Sequence, residues 1–220
     1  MTKAIFFDMD GVLYDSMPNH EYSWTESFRA IGMGFRPEEA YANEGRTARA
    51  TINMVYRREK GRDATDEEIE AIYAHKVALM RSRPQPEILP SMQDLLKRLP
   101  EMGIEVYIVT GSRQPSLIEK LHGAFGIERD HLISGEDVKY GKPDPEPYLM
   151  ALKRTGYKQE ECMVVENAPL GIASGKAAGL KVVAVNTGKL PDEELKASGA
   201  DILFHDTEAL ARHIILETRY

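Results

Sequence analysis

The stretch Lys3-Ala4-Ile5-Phe6-Phe7-Asp8-Met9-Asp10-Gly11-Val12 decides the fold. Ala4 to Phe7 is an apolar run long enough for a buried strand and far too short to span a bilayer. It stops at two carboxylates, Asp8 and Asp10, followed by Gly11, which permits a sharp turn. Parallel strands present functional groups at their C-terminal ends, so both aspartates are expected to face one crevice. Two carboxylates this close repel each other unless a cation or a proton neutralises them. Taken alone, such a pair also reads as a solvated turn, and the remainder of the chain has to decide.

After this strand the character changes. From Asp15 to about Arg83 no convincing strand occurs, and four helical stretches follow one another. Pro18 suits a first helical position, with Trp24, Phe28 and Ile31 on one face and Gly32 at the stop. A short helix begins at Pro37 and runs toward Glu44. A third spans about Ala48 to Lys60, with Ile52, Val55 and Tyr56 inward and Gly61 ending it. Thr65-Asp66-Glu67-Glu68 has capping-box spacing and opens a fourth, striped by Ile69, Ile72, Tyr73 and Leu79.

Prolines at 84, 86 and 90 punctuate the return to alternation. Helix is expected over 91–99, 116–122, 145–154, 169–178 and 207–218, and strand over 105–109, 131–134, 162–165, 181–185 and 201–204. This order predicts an α/β, doubly wound parallel sheet of Rossmann type with right-handed crossovers. Residues 1–14 and 84–220 would form the core domain, and residues 15–83 a small α-helical cap inserted after the first strand.

Composition narrows the function. The 220 residues carry a formal charge of −7, which offers no basic surface to nucleic acid or an anionic membrane. Met1 leads straight into the first strand, and no apolar run approaches a membrane span, so a cytoplasmic protein is expected. Cys162 is the single cysteine and reads as a small core residue.

Three further polar clusters come after the first. Thr110-Gly111-Ser112 ends a strand and supplies hydroxyls and backbone amides suited to phosphoryl oxygens. Lys142 lies in Lys139-Tyr140-Gly141-Lys142-Pro143-Asp144-Pro145, just ahead of a helix, where it would be able to balance both the aspartates and a bound phosphate. Glu166-Asn167 ends another strand with oxygen ligands of the hard type that Mg²⁺ takes. Each cluster is weak alone; all four in this order are specific.

Asp-Met-Asp-Gly-Val, Val-Thr-Gly-Ser, Lys-Pro-Asp-Pro-Glu-Pro-Tyr and Val-Val-Glu-Asn-Ala-Pro-Leu-Gly-Ile together resemble the haloacid dehalogenase (HAD) superfamily over essentially the whole chain. The helical insert resembles the cap of the branch that includes β-phosphoglucomutases. The resemblance implies that Asp8 attacks phosphorus and forms an aspartyl phosphate. Asp10 would protonate the leaving oxygen, activate water and bind Mg²⁺ through its carbonyl. Thr110 with Gly111 and Ser112 would hold the phosphoryl group, and Lys142 would neutralise charge. Asp8, Asp10, Glu166 and Asn167 would surround the Mg²⁺.

One departure stands out: the fourth motif usually carries two acids, and here the second is Asn167. Glu44, in Asn43-Glu44-Gly45-Arg46-Thr47, is the expected compensating metal ligand, with a surface helix-end glutamate as the alternative. The segment Glu-Gly-Arg-Thr-Ala-Arg-Ala-Thr-Ile-Asn resembles a subgroup that includes inorganic pyrophosphatases. His20, at a position where β-phosphoglucomutases carry histidine, and Arg46 and Arg49 are candidate substrate residues of the cap. The expected activity is therefore Mg²⁺-dependent hydrolysis of a small phosphorylated metabolite, with pyrophosphate leading. A phosphosugar mutase, or a phosphate-binding protein without turnover, are the alternatives. A monomer is the default for a capped enzyme of this size.

Overall fold

The computed structural model describes residues 1–112 and 117–218. Six strands, β1 (Ala4–Phe7), β2 (Glu105–Val109), β3 (Leu132–Ile133), β4 (Cys162–Glu166), β5 (Lys181–Val185) and β6 (Ile202–Phe204), form one sheet in the order β3-β2-β1-β4-β5-β6. Every pairing is parallel. Strand β1 is central, with Phe7 level with Ile108 of β2 on one side and Val165 of β4 on the other. The chain builds outward through β2 and β3, then crosses back to β4, so the order reverses beside β1. A crevice opens at the carboxyl ends of the strands where that reversal occurs.

Alternation along the strands divides the core in two. Phe6, Tyr107, Val109, Val164, Val182 and Ala184 face one side, where helices α7 (Glu146–Thr155), α8 (Pro169–Ala177) and α9 (Asp192–Ala197) contribute Tyr148, Ala151, Ile172 and Leu195. Ile5, Phe7, Val106, Ile108, Val165 and Val183 face the other, covered by α5 (Met92–Glu101), α6 (Leu117–Phe125) and α10 (Thr207–Glu217). Both faces being covered is why these strands read as continuous apolar runs rather than alternating ones. Cys162 is buried here, and burial pushes its thiol up to about 11, as suits an inert core residue.

Between β1 and α5 lie only helices: α1 (Met17–Arg29), α2 (Pro37–Ala42), α3 (Ala48–Lys60) and α4 (Asp66–Ser82). Trp24 and Phe28 stack, as do Phe28 and Phe35, and Ile52, Val55, Tyr56, Ile69 and Ile72 close around them. The capping box at Thr65 is present, with Glu68 reaching back to the Thr65 amide at 2.8 Å. One expectation fails locally. Ile31 lies beyond the end of α1 and is 44 % exposed, because α1 stops at Arg29 and Met33 and Phe35 take its place in the core. Helix α2 ends at Ala42, which frees Glu44 from the helix for the next loop. The expected helix start at Ser116 lies outside the described residues. No helix among the described residues is long and apolar enough to cross a membrane.

Candidate active site

The ends of β1, β2 and β4 deliver the polar residues of the crevice. Asp8 follows β1 directly, its amide held by Val165 O at 2.9 Å, so the residue is fixed by sheet pairing one step beyond the strand. Gly11 has φ +79°, and a Cβ there would stand 2.0 Å from Asn167 Nδ2. Only glycine both makes the turn and lets the fourth motif approach the first.

Lys142 is the hub of the buried charges. Its Nζ donates to Asp8 Oδ1 at 2.5 Å, to Glu166 Oε1 at 2.6 Å and to Val109 O at 3.1 Å, which uses all three protons. Burial would lower the lysine, but Asp8 and Glu166 outweigh it and hold the ammonium charged. Burial pushes the Asp8 carboxyl well up, against Lys142 and with the help of Glu166, Glu44 and Asp10. A cation beside Asp8 would reverse that direction. Thr110 is buried at the end of β2, and its hydroxyl accepts from the Ser112 amide at 3.1 Å.

The helical insert completes the site. Ser16 Oγ donates to Asp10 Oδ1 at 2.5 Å, and His20 Nε2 lies 3.4 Å from the same oxygen. The other ring nitrogen of the imidazole, Nδ1, lies 3.8 Å from Glu44 Oε2. Burial would raise Asp10, but His20, the Ser16 hydrogen bond and Lys76 hold its carboxyl down at about 2. Glu44 behaves oppositely: burial raises it, only partly opposed by His20. A cavity of about 160 Å³ lies between these groups, lined among others by Asp10, His20, Glu44, Arg46, Lys76 and Lys120.

The loop carrying Gly45 sits directly on Lys142. A Cβ on Gly45 would meet Lys142 Cδ at 2.7 Å, one on Gly111 would meet Gly45 O at 3.3 Å, and one on Gly141 would meet Thr47 Cγ2 at 2.9 Å. Three glycines thus form a seam free of side chains along which the loop carrying Glu44 approaches the core.

Asp8, Asp10, Thr110, Gly111, Ser112, Lys142, Glu166, Asn167, His20, Glu44 and Arg46 are therefore gathered as expected from sequence. Two assignments need correction. Arg49 is turned outward, paired with Asp66 at 2.7 Å and 59 % exposed, because the first turn of α3 presents it to the start of α4. Glu166 does not offer its carboxylate to a metal. Oε1 accepts from Lys142 and from Tyr148 Oη at 2.8 Å, and Oε2 from the amides of Asn167 at 2.9 Å and Ala168 at 3.3 Å.

Oxygen ligands are nonetheless present. Asp8 Oδ2 and Asn167 Oδ1 are buried and have no hydrogen-bond partner among the described residues. Orphaned, buried oxygens of this kind fit a hard divalent cation. No cluster of three His, Cys, Asp or Glu side chains that could hold a metal occurs among the described residues, which fits Asn167 standing where an acid is usual and Glu166 being taken up by protein donors.

Sequence reading missed Ser16, Lys76 and Tyr148. Ser16 occupies the N-cap position of α1 but makes no cap bond, its hydroxyl being used by Asp10. Lys76 interrupts the apolar face of α4 at the spacing of Ile69, Ile72 and Tyr73, the one signal that could have found it. It is 7 % exposed, with its ammonium 5.5 Å from the Trp24 ring centroid.

A family model for haloacid dehalogenase-like hydrolases matches residues 2–179. The chain belongs to that family. Among HAD relatives, hexitol phosphatase A of Escherichia coli is 32 % identical over 212 residues, covering 94 % of this chain and 93 % of its own. Fructose-1-phosphate phosphatase YqaB of E. coli is 27 % identical over 83 % of this chain and 95 % of its own. A solved structure from Bacteroides vulgatus, described as a candidate β-phosphoglucomutase, superposes with a TM-score of 0.93 at 47 % identity, covering 99 % of this chain and 88 % of that one.

Proposed function

We propose that this HAD hydrolase is a Mg²⁺-dependent phosphohydrolase that works through an aspartyl phosphate on Asp8, with inorganic pyrophosphate as its substrate. The observation that carries the reading is Glu44, brought by the cap loop into a small cavity beside His20 and Asp10. Cavities for ligands of drug size are typically about 300–1,000 Å³. The cavity here, about 160 Å³, falls below that range, which supports a compact substrate such as a diphosphate.

Asp8 Oδ2 and Asn167 Oδ1 would hold the Mg²⁺ together with the Asp10 carbonyl and Glu44. The ion would supply charge for the phosphoryl oxygens and for the carboxylates that otherwise repel one another. Asp8 then attacks phosphorus, the bond to the leaving group breaks, and the leaving oxygen takes the electron pair. Lys142 balances the charge on Asp8 and on the transferring group, while Thr110, Gly111 and Ser112 position that group. Water hydrolyses the aspartyl phosphate in a second step, giving its proton to Asp10. Asp10 is suited to that role, being held ionised by His20 and Ser16. An ionised Asp10 is a poor acid for expelling a sugar alkoxide, but orthophosphate is a much weaker base and leaves without full protonation. Arg46, which lines the cavity and whose Nε is buried without a partner among the described residues, would meet the second phosphoryl group.

The relatives favour a second reading, a sugar phosphatase or phosphomutase. Phosphate release with Mg²⁺ from pyrophosphate, β-glucose 1-phosphate, glucose 6-phosphate and p-nitrophenyl phosphate separates the two. Preference for pyrophosphate by kcat/KM is expected. Preference for either glucose phosphate, or interconversion of the two without release, would replace the proposal with the second reading. Asp8→Asn is expected to abolish turnover with an unchanged circular dichroism spectrum; retained turnover would refute the covalent route.

A further inference from the structure

Tyr148 lies on α7, outside the cap, with none of its surface exposed. A buried phenol hydroxyl needs a hydrogen-bond partner, and a Phe would fill the same volume without that requirement. The partner is Glu166 Oε1, at 2.8 Å. The same oxygen accepts from Lys142 Nζ at 2.6 Å, and that ammonium stands 5.1 Å from the centroid of the Tyr148 ring. Tyr148 therefore meets both members of the pair behind the nucleophile, and it does not line the cavity.

The pocket for Glu166 is built closely. A Cβ on Gly171 would stand 1.8 Å from Oε1, so the carboxylate occupies space that only a glycine in α8 leaves. Its second oxygen is fixed by the amides of Asn167 and Ala168. What remains adjustable is how Lys142 divides its ammonium between Glu166 and Asp8. A Glu166 oxygen that lost one of its two donors would draw the remaining one closer, at the expense of the 2.5 Å contact to Asp8.

We propose that Tyr148 is a positioning residue for phosphoryl transfer: by donating to Glu166 Oε1 it keeps the Lys142 ammonium shared with Asp8. Glu166 acts through Lys142 in the same way, as one relay from Tyr148 to the nucleophile. The proposal rests on Asp8 being the nucleophile, and the test separates the two ideas.

Tyr148→Phe deletes one oxygen from a site whose ring packing it preserves. Its kcat on p-nitrophenyl phosphate and on pyrophosphate is expected to fall roughly tenfold, the effect of one buried hydrogen bond to a charged group. KM and the Mg²⁺ concentration for half-maximal activity are expected to stay as in the wild type. A merely structural tyrosine would leave kcat in place. In a Glu166→Ala background the same substitution is expected to change kcat less than about twofold, since the relay is already cut; Glu166→Gln serves as the background if the alanine variant does not fold. Wild-type kcat in Tyr148→Phe, or an equal loss in both backgrounds, overturns the proposal. Turnover surviving in Asp8→Asn overturns instead the reading on which it rests.

Discussion

Asn167 and Glu44 bear on the same quantity, the negative charge available to a cation next to Asp8. Asn167 offers an orphaned oxygen but no charge, and Glu44 lines the cavity and adds negative charge felt by Asp8. Glu44→Gln is expected to raise the Mg²⁺ concentration for half-maximal activity several-fold and to lower kcat; an unchanged Mg²⁺ titration would return Glu44 to a role in cap packing. Asn167→Asp restores the missing charge in a side chain of equal size and is expected to tighten Mg²⁺ binding, measured by calorimetry. At this scale the sequence was readable wherever a residue ends a strand. Asp8 and Thr110 stand one step past a buried apolar run and Asn167 two steps past, so local pattern and position agree. Ser16 and Tyr148 escaped because their meaning lies in a partner: Ser16 looks like a helix cap, Tyr148 like core, and only the folded chain sets them against Asp10 and Glu166.

Among the elements, the helix ends were better marked than the edge strand. Thr65 caps α4 by accepting from the Glu68 amide at 3.3 Å while Glu68 returns the bond. Thr65→Ala is expected to cost about 1 kcal/mol by denaturant unfolding, the usual worth of such a cap. Strand β3, expected over 131–134, keeps only two residues, Leu132 and Ile133, paired to Ile108 and Val109. Asp137 holds the turn after β3, accepting from Ser134 N and Oγ at 2.8 Å each, from Arg129 at 2.7 Å and from Arg154 of α7 at 3.1 Å. Burial would raise this carboxyl, but these donors hold it down at about 2 from an ordinary 3.8. Its ionised form is thus favoured in the folded state, so its stabilisation is present above the unfolded value and is lost as pH falls toward the folded one. Asp137→Asn is expected to lower Tm at neutral pH, with the gap to wild type closing between about pH 4 and pH 2. A gap independent of pH would show that the charge is not what stabilises the turn.

Across the whole molecule, the helical insert and the sheet meet along Gly45, Gly111 and Gly141. A methyl on Gly141 would press on Thr47 Cγ2, which cannot swing away without moving Thr47 Oγ1 off the Ala50 amide from which it accepts. Gly141→Ala is expected to lower kcat/KM at least several-fold with Tm unchanged, and Gly141→Ala with Thr47→Ser, which removes the opposing methyl, is expected to recover most of it. Failure of the serine to rescue would mean that the seam does not control how the cap seats. The sequence by itself determined the strand–helix alternation, the helical insert after β1 and the polar clusters at strand ends. Each of these is written in short windows, where burial period, caps and glycine turns act on neighbouring residues. Only the tertiary structure decided which clusters meet. It set Lys142 between Asp8 and Glu166, turned Arg49 to solvent, closed Glu166 off from the cavity and brought Glu44 into it. Those outcomes depend on contacts between residues far apart in the chain, whose distances are set by strand order and by how closely backbones pack where no side chain intervenes.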